Sequence, residues 1–406
     1  MLRVVVVVLA LLSCVRPAAA QRPRDSVRTA FAELQQKYAQ VVRTHPEIYG
    51  NYPVVELITM GIGSLIWERH GHIALCIRYQ DPSQDTCYNY GIGDFHEPMK
   101  MATGFFRGTK SFWVGPQEPY NMFGVYLYGD RTIWVQPLPL TDAQEKDVIS
   151  KLEFDIQEDH KHYAYDHFWD NCTTRVRDVL DNAIGGDLHR FAAAEPTPGP
   201  TYRDLARKGF FGMRVPLIIT DIAMGRVTDR VPSYWERMFL PDYMRDAAAK
   251  YWKMEPQVIY QRKGPPPLDD GPSGRAWFAL IILALTAPAW ATKLWGKFQR
   301  TGLAVSVLPY VFLGSVFWFL AMISPLPYVE SNESCLVLLP CDLLLVWFLS
   351  PARRRLYARI RVGSIALVAL LLLVNVLHQP IWPLLLWPLV PSVVVGFWPS
   401  RTSEKS

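Results

Sequence analysis

The sequence predicts an exported α+β domain followed by an all-α, five-helix transmembrane bundle. Three observations carry that expectation. The N-terminus, "MLRVVVVVLALLSCVRPAAAQ", combines an early arginine, a short apolar core and a small-residue A-x-A ending, which reads as a secretory signal removed after Ala20. Residues 50–140 alternate short apolar runs with Gly, Pro and Asn, the pattern of an antiparallel sheet. From Arg275 onward stand five apolar segments, roughly 276–292, 303–323, 335–350, 363–377 and 381–398, several of them close to bilayer-spanning length.

The elements follow in order. Arg24–Thr44 places Val27, Ala30, Phe31, Leu34, Tyr38, Val41 and Val42 near one helical face. "HIALCIRY" and "TCYNYGI" read as paired strands around the turn-rich "QDPSQD", and "TIWVQPLPL" as the last strand of the sheet. "TDAQEKDVISKLEFDIQ" opens a helix with Thr141 as N-cap. The stretch "YDHFWDNCTTRVRDVLDNAIGG" encodes another, with Asp170 or Asn171 as N-cap, Gly185 beyond its end, and Val176, Val179, Leu180 and Ala183 as its buried stripe. Tyr202–Tyr260 reads as mostly helical, and its "FFGMRVPLIITDIAMG" suits either buried core or a membrane surface. "GPPPLDDGPSG" is a linker. The expected divisions are a signal peptide over 1–20, an exported domain over 21–263, a linker over 264–274, a membrane domain over 275–400 and a tail over 401–406.

Flanking charge sets the expected orientation. Lys293, Lys297 and Arg300 follow the first apolar segment, Arg353, Arg354, Arg355, Arg359 and Arg361 the third, and Arg401 and Lys405 the fifth, whereas the connections "SPLPYVESNES" and "HQP" carry no Lys or Arg. The positive-inside rule then puts the first half outside and the C-terminus in the cytoplasm, in agreement with the signal peptide. The third and fourth segments are short, so one of them is open to a re-entrant reading. A lipobox-like alternative for the N-terminus, with Cys14 lipidated, also leaves the following region exported. No basic stripe interleaved with aromatics occurs in the first half, which sets nucleic acid aside despite a net charge of +5.

Five cysteines remain after signal removal: Cys76, Cys87, Cys172, Cys335 and Cys341. Cys76 and Cys87 lie on the two adjacent strands and are placed to pair in an oxidising compartment. Cys172 is then the odd thiol of the exported region. It sits in the first turn of its helix, where unpaired N–H groups and partial positive charge stabilise a thiolate. The bland alternative is a small buried hydrophobe. A nucleophile needs a base, and His72 shares strand parity with His70, Ala74 and Cys76. If Cys76 pairs with Cys87, Ala74 falls opposite Asn89, so Asn89 lies diagonal to His72 and can orient its imidazole. His160, His162 and His167 read as surface or packing residues, with His167 an outside rival for the base. The ligand spacing of a structural zinc site is absent, and no metal or cofactor is expected.

A strand histidine followed by a helical cysteine reverses the papain order and resembles the permuted, NlpC/P60-like and lecithin:retinol acyltransferase-like branch of the papain superfamily. "GHIALCIRY", "YNYGIGDF", "YAYDHFWDNCTTRVRDVL" and "MFLPDYM", followed by five apolar segments, resemble the bacterial lipoprotein N-acyltransferase family Lnb. That resemblance implies an inner-membrane enzyme with Cys172 as nucleophile, His72 as base and Asn89 as orienting residue. Where the family carries an aromatic before Gly-His this chain has His70, which leaves His70 and His72 both open as the base. The implied partners are a phospholipid acyl donor and a diacylated lipoprotein acceptor. Arg175 and Arg177 are candidates for contacting a phosphate headgroup, against solvated helix positions. The competing functions are a membrane-anchored cysteine peptidase or amidase on the same scaffold, and a membrane sensor that only binds.

Overall fold

The computed structural model describes residues 24–94 and 97–398. The expected signal segment with Cys14, and the 401–406 tail, lie outside the described residues. The chain divides into two compact units: residues up to Pro200 with Val231–Asp269, and Thr201–Arg230 with the chain from Asp270.

The first unit is built on a seven-stranded sheet, every pairing of which is antiparallel, in the order β6-β4-β3-β2-β1-β5-β7. The strands are β1 (Val54–Met60), β2 (His72–Arg78), β3 (Thr86–Gly93), β4 (Phe112–Gln117), β5 (Ile133–Pro137), β6 (His162–Tyr163) and β7 (Gln257–Tyr260). Its helices include α1 (Arg24–Thr44), α2 (Pro98–Phe106), α3 (Pro119–Tyr128), α4 (Asp142–Asp155), α5 (Cys172–Ala183) and α6 (Asp187–Ala194). Every residue of β1 is buried, because helices cover both faces of the sheet. Val55, Leu57, Ile73 and Leu75 pack with Val148 and Leu152 of α4 and Val176, Val179 and Leu180 of α5. On the other face Ile58, Ala74 and Cys76 pack with Ala30 and Leu34 of α1 and Met122, Phe123 and Tyr126 of α3. A charged residue on that face must be paired: fully buried Glu56 accepts from the Tyr38 and Tyr49 hydroxyls and from Arg78 Nε at 2.8 Å.

Cys76 stands opposite Cys87 in the β2–β3 register, and the two form the disulfide that the sequence leaves open. Two strands escaped the sequence pattern. β6 is two residues long and carries no alternation to read, and β7 lies within a stretch whose composition reads as helical, held as a strand by the edge of β5.

The second unit contains α7 (Tyr202–Lys208), α8 (Arg214–Ala223), α9 (Arg275–Trp295), α10 (Gln299–Ile323), α11 (Pro351–Leu373) and α12 (Trp382–Gly396). Residues 201–230 therefore group with the apolar half, although the sequence reading assigns them to the exported domain. Buried polar contacts account for this. Asp221, 2 % exposed, pairs with Arg207 at 2.6 Å and Arg275 at 2.8 Å, and Gln379 donates to its carbonyl at 2.8 Å.

Among the described residues α9, α10 and α11 are long and apolar enough to cross a membrane, and α12 is a shorter apolar helix. The expected third continuous span is corrected. Over 335–350 the chain forms only a helical turn at Ser334–Val337 and a 3-10 stretch at Pro340–Leu345. Pro340 interrupts the helical ladder. The expected fourth span begins earlier, at Pro351, because the arginine-rich flank is itself helical.

Candidate active site

α5 begins where the sequence places it, and Asn171 is the cap. Its Oδ1 accepts from the Thr173 and Thr174 amides at 2.8 and 2.9 Å, and Thr174 Oγ1 accepts from the Asn171 amide at 2.8 Å. Asn171 Nδ2 donates to the carbonyls of His167 at 2.7 Å and Phe239 at 2.9 Å, which explains Asn rather than Ser or Asp here. The cap thus fixes where Cys172 stands, and it uses two of the first-turn donors that the bare sequence leaves open.

Cys172 is 9 % exposed and lies against the core that includes Ile73 and Val176. Burial pushes its thiol above the ordinary range, while the Thr173 hydroxyl and the amides of Ile73, Thr173 and Cys172 itself pull it back. In the resting site desolvation outweighs the helix-start effect that stabilises a thiolate. The Ile73 amide on the sulfur puts the thiol beside the start of β2. Gly91 opens the other side: its φ is +83°, and a Cβ there would come within 3.5 Å of the Cys172 Cβ.

His72 is the first residue of β2. Gly71 before it has φ +81°, and a Cβ would sit 2.8 Å from the Met60 carbonyl oxygen, so the Gly-His pair needs glycine. His72 Nε2 lies 3.3 Å from Asn89 Oδ1. The Asn89 amide is oriented by its own NH2, which donates to Gln117 Oε1 at 3.3 Å and to Met122 Sδ at 3.6 Å. With Oδ1 accepting from Nε2–H, the free lone pair of the neutral ring is on Nδ1. Burial, then the charge of Arg131, brings His72 down to about 4, with the Asn89 bond opposing. The His70 ring meets the edge of His167 at 4.8 Å, and burial, then His70, lowers His167 to about 3.

Two neighbours carry no sequence signal. Tyr126 of α3 stacks along His72 with ring centroids 6.1 Å apart, and the Arg131 guanidinium lies 4.7 Å over the Tyr126 ring. Arg175 is already engaged: it makes a bidentate pair with Asp170 at 2.6 and 2.8 Å and lies 3.7 Å over Tyr163. Arg177 pairs with Asp178 and lies 4.0 Å over Trp235. A cleft of about 440 Å³ lined by Asn51, Tyr52, Asp142 and Glu145 includes none of the three predicted site residues. Among the described residues no group of three or more His, Cys, Asp or Glu is arranged for a metal ion.

Residues 50–208 match the family model described as the Lnb N-terminal periplasmic domain. The chain carries an Lnb periplasmic domain. The matched span encloses Cys172, His72 and Asn89, as well as Tyr126 and Arg131. No curated protein and no solved structure matches the chain. The Lnb domain is α+β, its strand histidine precedes its helix cysteine, and apolar helices of membrane-spanning length follow it in the chain.

Proposed function

We propose that this Lnb protein is a lipoprotein N-acyltransferase of the bacterial inner membrane, with its Lnb domain periplasmic and its C-terminus cytoplasmic. Cys172 attacks an ester carbonyl of a phospholipid while His72 Nδ1 takes the thiol proton. The tetrahedral intermediate expels the lysophospholipid alkoxide, which recovers that proton, and an acyl thioester remains. The free α-amine of a diacylglyceryl-cysteine lipoprotein then attacks the thioester, His72 takes a proton from the amine, and the thiol leaves as the amide forms. Splitting one acyl transfer into two steps lowers the barrier of each. Asn89 holds the imidazole, and the Cys172 amide is the helix-start donor available to the oxyanion.

One observation carries this reading: within an Lnb domain, a capped helix start brings Cys172 against the amide next to His72, and His72 is oriented by Asn89. The resting thiol is buried, so ionisation is coupled to proton transfer rather than standing beforehand. Arg175 remains a candidate headgroup contact only if substrate displaces Asp170.

The test is mass spectrometry of lipoprotein N-termini in cells expressing the full chain. N-acylation should appear with the wild-type chain and vanish with Cys172→Ala. Unchanged termini with cleaved cell-wall peptides would point to a peptidase instead, and full function in Cys172→Ser would point to a binding module.

A further inference from the structure

Among the described residues six carboxylates are buried, and five of them have partners. Glu56 accepts from Arg78 Nε at 2.8 Å, Asp155 accepts from the Tyr90 hydroxyl at 2.7 Å, and Asp221 pairs with Arg207 at 2.6 Å. Glu333 accepts from the Gln379 amide at 2.8 Å, and Asp342 pairs with Arg361 at 2.9 Å. Glu145 of α4 is the exception. It is 6 % exposed, yet among the described residues nothing donates to its carboxylate. A carboxylate taken out of water without a donor is costly to keep. The start of α4 does not account for it. Gln144, not Glu145, completes the cap with Thr141, and the exposed Asp142 already answers the helix dipole.

Glu145 lines the cleft of about 440 Å³ whose walls are α4 and the loop before β1. Asn51 Nδ2 donates to Asp142 Oδ1 at 3.0 Å, which ties the two walls together. Asp142 and Glu153 bring further carboxylates to the lining, Tyr52 an exposed ring and Ile149 an apolar surface. Lys146, the cation of the lining, is exposed and among the described residues makes no ion pair with these acids.

We propose that this cleft binds a primary ammonium group on an alkyl chain, with the Glu145 carboxylate as its main acceptor and Tyr52 and Ile149 against its methylenes. A buried acceptor without a donor, in a lining where acids outnumber bases, suits a ligand that supplies both donors and positive charge. An ammonium group supplies three N–H donors, and an aromatic face beside it stabilises the cation. A metal ion fits less well, since among the described residues no group of three or more His, Cys, Asp or Glu is arranged for one. Burial, then the charge of Asp142, raise the Glu145 acid to about 7, and a cation at the carboxylate offsets both effects. A lysine side chain and a free alkylamine share this chemistry. The cleft contains none of Cys172, His72 and Asn89, so the site is separate from the one proposed for acyl transfer.

The test is isothermal titration calorimetry on the full chain in detergent, with n-butylammonium chloride and the capped peptide acetyl-glycyl-lysyl-glycinamide as probes. At least one probe should bind the wild type. Glu145→Gln, which keeps the shape and removes the charge, should weaken that binding about tenfold or more. Tyr52→Ala, at an exposed position, should weaken it roughly two- to fivefold and keeps the test decisive if the Glu145 variant does not fold. Binding of the peptide assigns the site to a lysine of a protein partner, whereas binding of butylammonium with the peptide excluded assigns it to a free amine. The proposal fails if neither probe binds, or if the probes bind either variant as tightly as the wild type. It also fails if calcium chloride binds in a Glu145-dependent way while the amines do not.

Discussion

His72 is held neutral far below the pH at which a free imidazole protonates, because it is desolvated and, to a lesser degree, because of the charge of Arg131. If it is the base, activity depends on its unprotonated form. The acid limb of kcat/KM then falls near pH 4, where His72 gains its proton, rather than near the usual histidine value. His72→Ala should lower kcat on the order of 10²–10⁴-fold. His70→Ala should lose far less, since the His70 ring packs on His167 while it is His72 that meets Asn89. Comparable losses in the two variants would move the base to His70. The diagonal from His72 to Asn89 was legible in the sequence, because one cystine pairing sets the register and the register sets the diagonal. Arg131, Tyr126 and Gln117 were not. Each lies on a strand, helix or loop with no motif of its own, and only the fold brings it to the site.

At the scale of elements, the start of α5 depends on a side chain used at both ends. Asn171→Ala removes the acceptor for two helix amides and the donor to two carbonyls, and should cost at least about 1 kcal/mol. Asn171→Asp keeps the cap and loses the donors, so its thermal midpoint should fall between those of the wild type and Asn171→Ala. Equal midpoints for the two variants would show that the carbonyl contacts, not the cap, carry the effect. The hairpin of β2 and β3 makes a second test. Removing the Cys76–Cys87 bond by Cys76→Ser with Cys87→Ser should destabilise the first unit by roughly 2 kcal/mol or more, read as a lower melting temperature that reductant no longer changes. The central strands and the helices α1, α4 and α5 were visible in the sequence because their apolar periods are long enough to read. β6 and β7 are two and four residues long, and their pairing is imposed by β4 and β5 rather than by pattern.

For the whole chain, the question is how three long helices and one short one fit charges that demand alternate sides. Lys293, Lys297 and Arg300 must share a side with Arg353, Arg354 and Arg355 under the positive-inside rule, yet α10 alone lies between them as a long helix. The difference is made up if residues 332–350 cross the bilayer as a broken segment. Irregular backbone at membrane depth is tolerated only when protein satisfies its polar groups. Contacts of that kind are present here. Arg361 donates to the Val337 carbonyl and pairs with fully buried Asp342 at 2.9 Å, and Trp318 Nε1 donates to the Cys335 carbonyl at 3.1 Å. The sequence could give the apolarity of this stretch but not its interruption, since Asp342 looks like a loop residue until Arg361 is set beside it. Reporter fusions decide the point. Fusions after Ser331 and after Leu377 should be active as alkaline phosphatase, and fusions after Ser350 and after Trp398 should fluoresce as cytoplasmic reporters. If fusions after Ser331 and Ser350 report the same side, the segment is re-entrant, and the C-terminus then lies on the side of the Lnb domain. Arg361→Met should leave Asp342 buried without its partner and lower the folded yield in membranes, and Asp342→Leu in the same chain should restore part of it.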